Sequence, residues 1–362
     1  MRLMKSMFFL IGLAWGAVAA PQPGQVQVVE GVPQHEVTGY TPPADGTVLQ
    51  AAPRHIILMI GDGMSTEHIA AAWVCNGGKL NMDSLPYTGW CRTFSANRLI
   101  TDSAAAGTAL ACGAKTNNGM LGITPAGQVL PSLCVRLSAP PYGKQCGLVV
   151  TKTITDATPA AFYAHVPGRK LTSVIAQQLE QAGLRYLAGG GKGAFSAARL
   201  EKMKSAPGAV VSLCAEGDCP YAAERGNMLE EETHRALACL EAAPQGFFLM
   251  IEGSKIDSAS HDTHLGRAVE EVLDFDRALG VVLRWMQKHP DTLLIVTADH
   301  QTGGLVILDG NVAAGRVKAS FATSAHTGIV VPVLAAGARA CLFSGVMDNT
   351  QIPARIMQAV EK

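Results

Sequence analysis

Short, almost wholly apolar runs recur along this chain, and the strongest of them end in acids or imidazoles. "HIILMIGDG" (55–63) carries Asp62, "FFLMIEG" (247–253) carries Glu252, and "LLIVTADH" (293–300) ends in Asp299 and His300. "CGLVVT" (146–151) and "IVVPVLAAG" (329–337) are similar apolar runs. Helical patterns intervene, the longest from about Gly266 to Lys288. Continuous apolar strands alternating with helices predict an α/β fold with a central, mostly parallel sheet covered on both faces. In such sheets ligands bind beyond the carboxyl ends of the strands. Buried acids crowded there repel one another unless metal ions neutralise them.

The chain has 362 residues, 48% of them hydrophobic, which is ample for a large core in one big domain or two. Lys plus Arg equals Asp plus Glu, at 29 each, so nothing in the charge balance favours nucleic acid as a partner. An anionic substrate has to be held by local charge or by metal. The N-terminus reads as a secretion signal over residues 1–19: "MRLMKS" is basic, an apolar run follows, and Ala17-Val18-Ala19 supplies the small residues before cleavage. Export to the periplasm or the extracellular space, with no stable membrane anchor, is the resulting expectation. Residues 20–53 are rich in Pro, Gly and Gln and read as a flexible linker or arm. Folded sequence is expected over 54–362. The nine cysteines fit an oxidising compartment. Cys214/Cys219 and Cys134/Cys146 are candidate local disulfides, and the odd count leaves a thiol over.

Several short segments carry the chemistry. "EGSKIDSASH" places Glu252, Asp257 and His261 together, with Asp257 and His261 four apart and on one face of any helix there. "TADH" adds Asp299 and His300, and "SAHTG" adds His326. Mixed oxygen and nitrogen donors suit zinc. "DAT" gives Asp156 and Thr158, which with Glu252 and Asp62 make an oxygen-only set better suited to magnesium. His264 rivals His261, since spacing does not choose between them. "TDSAAAGTALACG" (101–113) reads as a helix start, where Ser103 is either the N-cap or a nucleophile at the positive end of the helix. Taken singly, a turn Asp, a capping Ser or a lone Arg169 is ordinary structure. The combination fits one mechanism.

The segments "IGDGMS", "TDSAAAGTA", "DATPAAFYAHVPGR", "EGSKIDSASH", "TADHQTGG" and "AHTG" resemble, in type and order, those of alkaline phosphatases, over most of residues 54–362. The resemblance implies the three-layer α/β sandwich of that family. It implies hydrolysis of phosphate monoesters through a phosphoserine at Ser103, with broad specificity and a role in phosphate scavenging. It implies one zinc held by Asp257, His261 and His326, and a second held by Asp62, Asp299 and His300. It implies magnesium on Thr158 and Glu252, with Asp62 bridging and Asp156 acting through water. Arg169 would grip the phosphate, and Asp102 and Ser258 would stand behind the ligands. A phosphate monoester is dianionic and repels nucleophiles, so positive charge must come first. Two metal ions ~3.5–4 Å apart can serve both the attacking and the leaving oxygen.

The chain departs from the family at three places. Ser65 replaces the last Gly of Gly-Asp-Gly-Met-Gly, which bears on a helix start. Ser258 follows Asp257 where relatives often carry a larger or basic side chain, which bears on the third metal. His300 and His326 are close in sequence, so the crown subdomain is expected to be absent or reduced. Residues 189–230 read as a lid or insertion. The alternative functions are a phosphodiesterase or nucleotide pyrophosphatase of the same superfamily, or a non-catalytic metal- or phosphate-binding protein. Monomer and homodimer are both open.

Overall fold

The structure, a computed structural model, describes residues 21–361. The expected signal segment therefore lies outside the described residues. The centre is a nine-stranded sheet. Its strands run, in spatial order, Gly345–Asp348, Tyr87–Arg92, Val331–Gly337, Thr292–Thr297, His55–Gly61, Phe247–Gly253, Gln145–Thr153, Tyr186–Gly190 and Val210–Leu213. All neighbouring pairs are parallel except the two made by Val331–Gly337. That strand runs opposite to its partners, a departure from the uniform direction its apolar run suggested.

The three central strands His55–Gly61, Phe247–Gly253 and Thr292–Thr297 are buried at every residue. This is why their sequences lack alternation: both faces are covered. Each fully buried Ile or Leu side chain contributes about 1.5–3 kcal/mol, so this central region anchors whatever its ends carry. The helix Leu265–Met286 presents an apolar stripe to this sheet, from Leu265 and Val269 through Phe275 to Leu283. Among the described residues no helix is long and apolar enough to cross a membrane.

Three expectations need correction. The arm over 20–53 is irregular but not loose from Pro21 onward. Val26–Val29 pairs antiparallel with Arg316–Phe321, which pairs in turn with Leu305–Asn311. Further along, His35 Nε2 bonds Asp276, and the Thr38 amide donates to Asn81. These long-range bonds replace the local periodicity that the segment lacks. The region 189–230 is no lid: Tyr186–Gly190 and Val210–Leu213 form one edge of the main sheet. Cys214 and Cys219 are joined as a disulfide, but Cys134 and Cys146 are separate buried thiols, Cys146 Sγ donating to the Cys134 carbonyl at 3.5 Å. The interval between His300 and His326 holds little more than the Leu305–Phe321 hairpin, in keeping with a reduced crown.

Candidate metal centre and nucleophile

The site forms where the parallel strands end. Asp62 follows His55–Gly61, Glu252 sits at the end of Phe247–Gly253, and Asp299 and His300 follow Thr292–Thr297. Asp257 and His261 ride on the short helix Lys255–His261, one turn apart. His326 comes from the far side, in a two-residue strand paired with Gln301–Thr302. Gly63 allows this closure. It has φ +72°, and a Cβ there would lie 2.7 Å from Thr302 Oγ1 and 3.0 Å from the Asp257 Cα.

Three imidazoles converge through the same nitrogen. His261 Nδ1 contacts the Ser324 carbonyl at 2.6 Å, and His326 Nδ1 contacts the Thr101 carbonyl at 2.9 Å. A carbonyl only accepts, so each Nδ1 carries the proton and each Nε2 lone pair is free to face the site. His300 Nδ1 faces Thr302 Oγ1 at 3.3 Å, while that hydroxyl donates to Asp257 Oδ1 at 2.6 Å. His300 Nε2 is also turned inward. It lies 3.4 Å from Asp62, 3.2 Å from Asp299 and 3.2 Å from Ser103 Oγ. His261 Nε2 lies 3.1 Å from His326 Nε2 and 3.2 Å from Asp257, and His326 Nε2 lies 3.4 Å from the same Asp257 oxygen. Ligand atoms of Asp62, Asp299 and His300 fall within 4.8 Å of one another, as do those of Asp257, His300 and His326. His300 thus stands at the seam of both groups. His264 is elsewhere, accepting from the Arg267 amide at the start of Leu265–Met286.

Burial has left oxygens in the site without partners. Both carboxylate oxygens of Asp62 and of Glu252, Asp299 Oδ2 and Thr158 Oγ1 have no hydrogen bond. Such orphans are rare in folded proteins and costly unless a cation takes them. The electrostatics say the same. Burial, with Asp299 and Asp257 nearby, holds Asp62 well above the usual carboxylate range. Burial and then Asp156 push Glu252 up to about 8, and burial pushes Asp299 up to about 6. Burial would raise Asp257 too, but the imidazoles of His261 and His326 and the Lys152 ammonium beside it outweigh that and hold it well below the usual carboxylate range. Burial and the neighbouring His326 keep His300 neutral, well below the usual imidazole range. Divalent cations suit this donor set: nitrogen and oxygen for zinc-like ions in the two histidine groups, oxygen alone around Thr158 and Glu252.

Ser103 opens the helix Ser103–Cys112 and is 3% exposed. The N-cap of that helix is Asp102, not Ser103. Asp102 Oδ1 accepts from the Ala105 amide at 3.0 Å. This frees the Ser103 hydroxyl to point at the cluster while the positive end of the helix lies behind it. The other Asp102 oxygen accepts from the Gly119 amide at 3.0 Å and faces Arg169 at 3.5 Å. Arg169 Nη2 donates to Asp156 at 3.1 Å. Two carboxylates therefore hold the guanidinium, one of them on Asp102, the residue before Ser103. Gly107 brings this helix close to another helix rather than to the sheet. Its absent Cβ would lie 3.3 Å from Ala161 Cβ and from the Thr158 Cα, so the helix that begins at Ser103 packs directly on the segment that carries Thr158.

The alkaline phosphatase family profile matches residues 53–195 and 175–320. This chain belongs to the alkaline phosphatase family. It is 36% identical over 294 residues to alkaline phosphatase 4 of Bacillus subtilis, an alignment that covers 71% of this chain and 63% of that one. It is 30% identical over 416 residues to the streptomycin-6-phosphate phosphatase of Streptomyces griseus, covering 86% and 92%. The fold matches alkaline phosphatase from the Antarctic bacterium TAB5, with a TM-score of 0.80 at 28% identity over 86% of this chain and 98% of that one. It also matches the cold-active alkaline phosphatase of Shewanella, with a TM-score of 0.78 at 28% identity over 85% and 100%. The chain spans less than two thirds of the first curated relatives it matches, 63% and 62% of their lengths.

In this alkaline phosphatase family member the structure sets Ser103, Asp62, Asp257, His261, Asp299, His300 and His326 close to one another, ties Arg169 to Asp102 and Asp156, and leaves His264 apart. It places Ser258 on the helix Lys255–His261, partly buried, with no charge to offer. Ser65 starts the helix Thr66–Cys75 as expected, its amide donating to His68 Nδ1 at 3.2 Å. Sequence reasoning missed two residues. Thr302 links Asp257 to His300, and its signal was only its place two residues after His300. Lys152 enters the acidic cluster from the strand Gln145–Thr153, with Nζ 3.2 Å from Asp257 and 3.9 Å from both Asp62 and Asp156.

Proposed function

We propose that this chain hydrolyses phosphate monoesters to an alcohol and inorganic phosphate through a phosphoserine at Ser103. The observation that carries this is Ser103 itself: a buried hydroxyl at a helix N-terminus, 3.2 Å from the Nε2 of His300, which belongs to both ligand groups, and directly after Asp102, which faces Arg169. Asp257, His261 and His326 would hold one zinc ion, and Asp62, Asp299 and His300 a second. Thr158, Glu252, Asp62 and Asp156 would hold magnesium, and a TAB5 variant has been solved with Mg bound in its M3 site. When bound, these ions supply positive charge to the attacking and leaving oxygens.

The chain's own residues do the rest. Arg169 binds the phosphate oxygens with the N–H groups that Asp102 and Asp156 leave free, its planar fork matching two oxygens at once. Ser103 Oγ forms a bond to phosphorus as the ester oxygen leaves, and the alcohol departs with a proton. Water then cleaves the phosphoserine, returning a proton to Ser103 Oγ and releasing inorganic phosphate. The Thr101 and Ser324 carbonyls hold His326 and His261 in one tautomer throughout. The grip is on phosphate and not on the alcohol, which supports broad specificity and a role in phosphate scavenging. Export across the inner membrane to the periplasm, or beyond it, belongs to the same reading, supported by the basic, apolar and small order of residues 1–19.

The test compares 4-nitrophenyl phosphate with bis(4-nitrophenyl) phosphate on metal-loaded protein. The monoester is expected to be the better substrate by kcat/KM. Faster hydrolysis of the diester sinks the reading in favour of a phosphodiesterase.

A further inference from the structure

The oxygen-only group has an unusual neighbour. Lys152 lies on the last turn-in of the strand Gln145–Thr153, four residues before Asp156. Its side chain is 14% exposed, beside an Asp62 that is fully buried and an Asp257 that is 5% exposed. The ammonium donates to Asp257 Oδ2 at 3.2 Å, the oxygen that does not face His261 and His326. It also stands 3.9 Å from Asp62 and 3.9 Å from Asp156. These are two of the four residues that would hold the third ion. Asp62, like Thr158 and Glu252, has no hydrogen bond to its side-chain oxygens, so the ammonium meets it by charge alone.

Magnesium requires near-ideal octahedral oxygen geometry and gives up water reluctantly. A tethered cation facing two of its four residues raises the cost of binding twice: by like-charge repulsion, and by having to release the carboxylates first. Ser258 brings no charge of its own to the helix Lys255–His261. We propose that Lys152 is a built-in cation that competes with the third divalent ion for Asp62 and Asp156, so that this protein holds two divalent ions tightly and a third only weakly. Lys152 thereby keeps positive charge at the phosphate site when the third ion is absent. It is a positioning residue: it fixes Asp62, Asp156 and Asp257 and does not touch the reacting atoms. The inference rests on the metal assignment proposed above.

The test is magnesium uptake by zinc-loaded protein, read by equilibrium dialysis and elemental analysis without turnover. Wild type is expected to retain two zinc ions through gel filtration and to lose magnesium. Lys152→Met is expected to bind magnesium at least about tenfold more tightly, a change typical of removing one close charge. Lys152→Arg, which keeps a cation, is expected to stay weak. Equal magnesium affinity in wild type and Lys152→Met overturns the proposal. So does a third ion that survives gel filtration on wild type, an outcome that needs no variant to fold. Failure of the phosphatase reading shows separately, as zinc-loaded wild type that releases no phosphate from 4-nitrophenyl phosphate.

Discussion

Two clusters of buried acids lie in this molecule, and they are treated in opposite ways. Behind the sheet, Glu271 accepts from the Ala222 amide at 2.8 Å and from Arg225 at 2.8 and 2.6 Å. Asp274 is held by Arg225 and by Arg277. Asp276 accepts from the Asn81 amide at 2.8 Å, from the Met82 amide at 3.1 Å and from the Asn81 side chain. Every oxygen of these three carboxylates has a partner. At the strand ends, Asp62 and Glu252 are equally buried and accept no hydrogen bond. The first cluster is satisfied by the chain itself and acts as structure. The second is complete only with cations from outside, and that is the physical signature of a metal site.

The sharpest way to break this comparison is to unpair the satisfied cluster. Arg225→Met leaves Glu271 and Asp274 buried without their shared cation. It should cost about 3–5 kcal/mol in urea unfolding while the folded protein still takes up its metals. A variant that keeps its stability but loses metal would reverse the two roles.

A smaller effect should appear in chelated protein. Glu252 is held up to about 8, so the metal-free fold keeps a proton there that the unfolded chain gives up near the ordinary value. A raised carboxyl contributes stability at low pH that is lost as pH rises through its folded value. Between about pH 7.5 and 8.5 the melting temperature in EDTA should therefore fall, and Glu252→Gln should flatten the fall. Above about pH 7.5 the buried His300, His68 and His55, depressed in the fold, are almost wholly neutral in the unfolded chain as well and oppose it little. A metal-free protein whose melting temperature rises over that window contradicts the assignment.

The smallest effect concerns Asp102. Replacing it by Ala removes a helix cap worth about 1 kcal/mol and one of the two anchors of Arg169. A modest drop in melting temperature with KM raised more than kcat is lowered is the expected pattern. A loss of kcat alone would place Asp102 in the chemistry itself.

Sequence carried much of this because burial on both faces leaves a mark. His55–Gly61, Phe247–Gly253 and Thr292–Thr297 are continuous apolar runs because the sheet covers them, and the acids and imidazoles at their ends have no structural reason to be there. The outer strands Tyr87–Arg92, Tyr186–Gly190 and Val210–Leu213 are short, partly exposed or glycine-bearing, and their runs blend into loops. The arm's strand Val26–Val29 is stabilised by a partner almost three hundred residues away, which no local pattern can reveal. Within the site, side-chain type was legible and support was not. The carbonyls of Thr101 and Ser324 that fix two tautomers belong to the backbone of any residue. Lys152 looks like an ordinary solvated charge until the fold sets it against Asp62, Asp156 and Asp257. The N-cap question in "TDSAAAG" turned on one residue: Asp102 takes the cap, which leaves Ser103 available.

That availability is the most direct thing to measure. Metal-loaded protein mixed with 4-nitrophenyl phosphate at mildly acidic pH and quenched in acid should yield a phosphorylated peptide that maps to Ser103. Ser103→Ala should yield none, and its turnover should fall by roughly a thousandfold or more with bound metal unchanged. Turnover retained in Ser103→Ala, or a phosphoryl group mapped to another residue, would contradict the account.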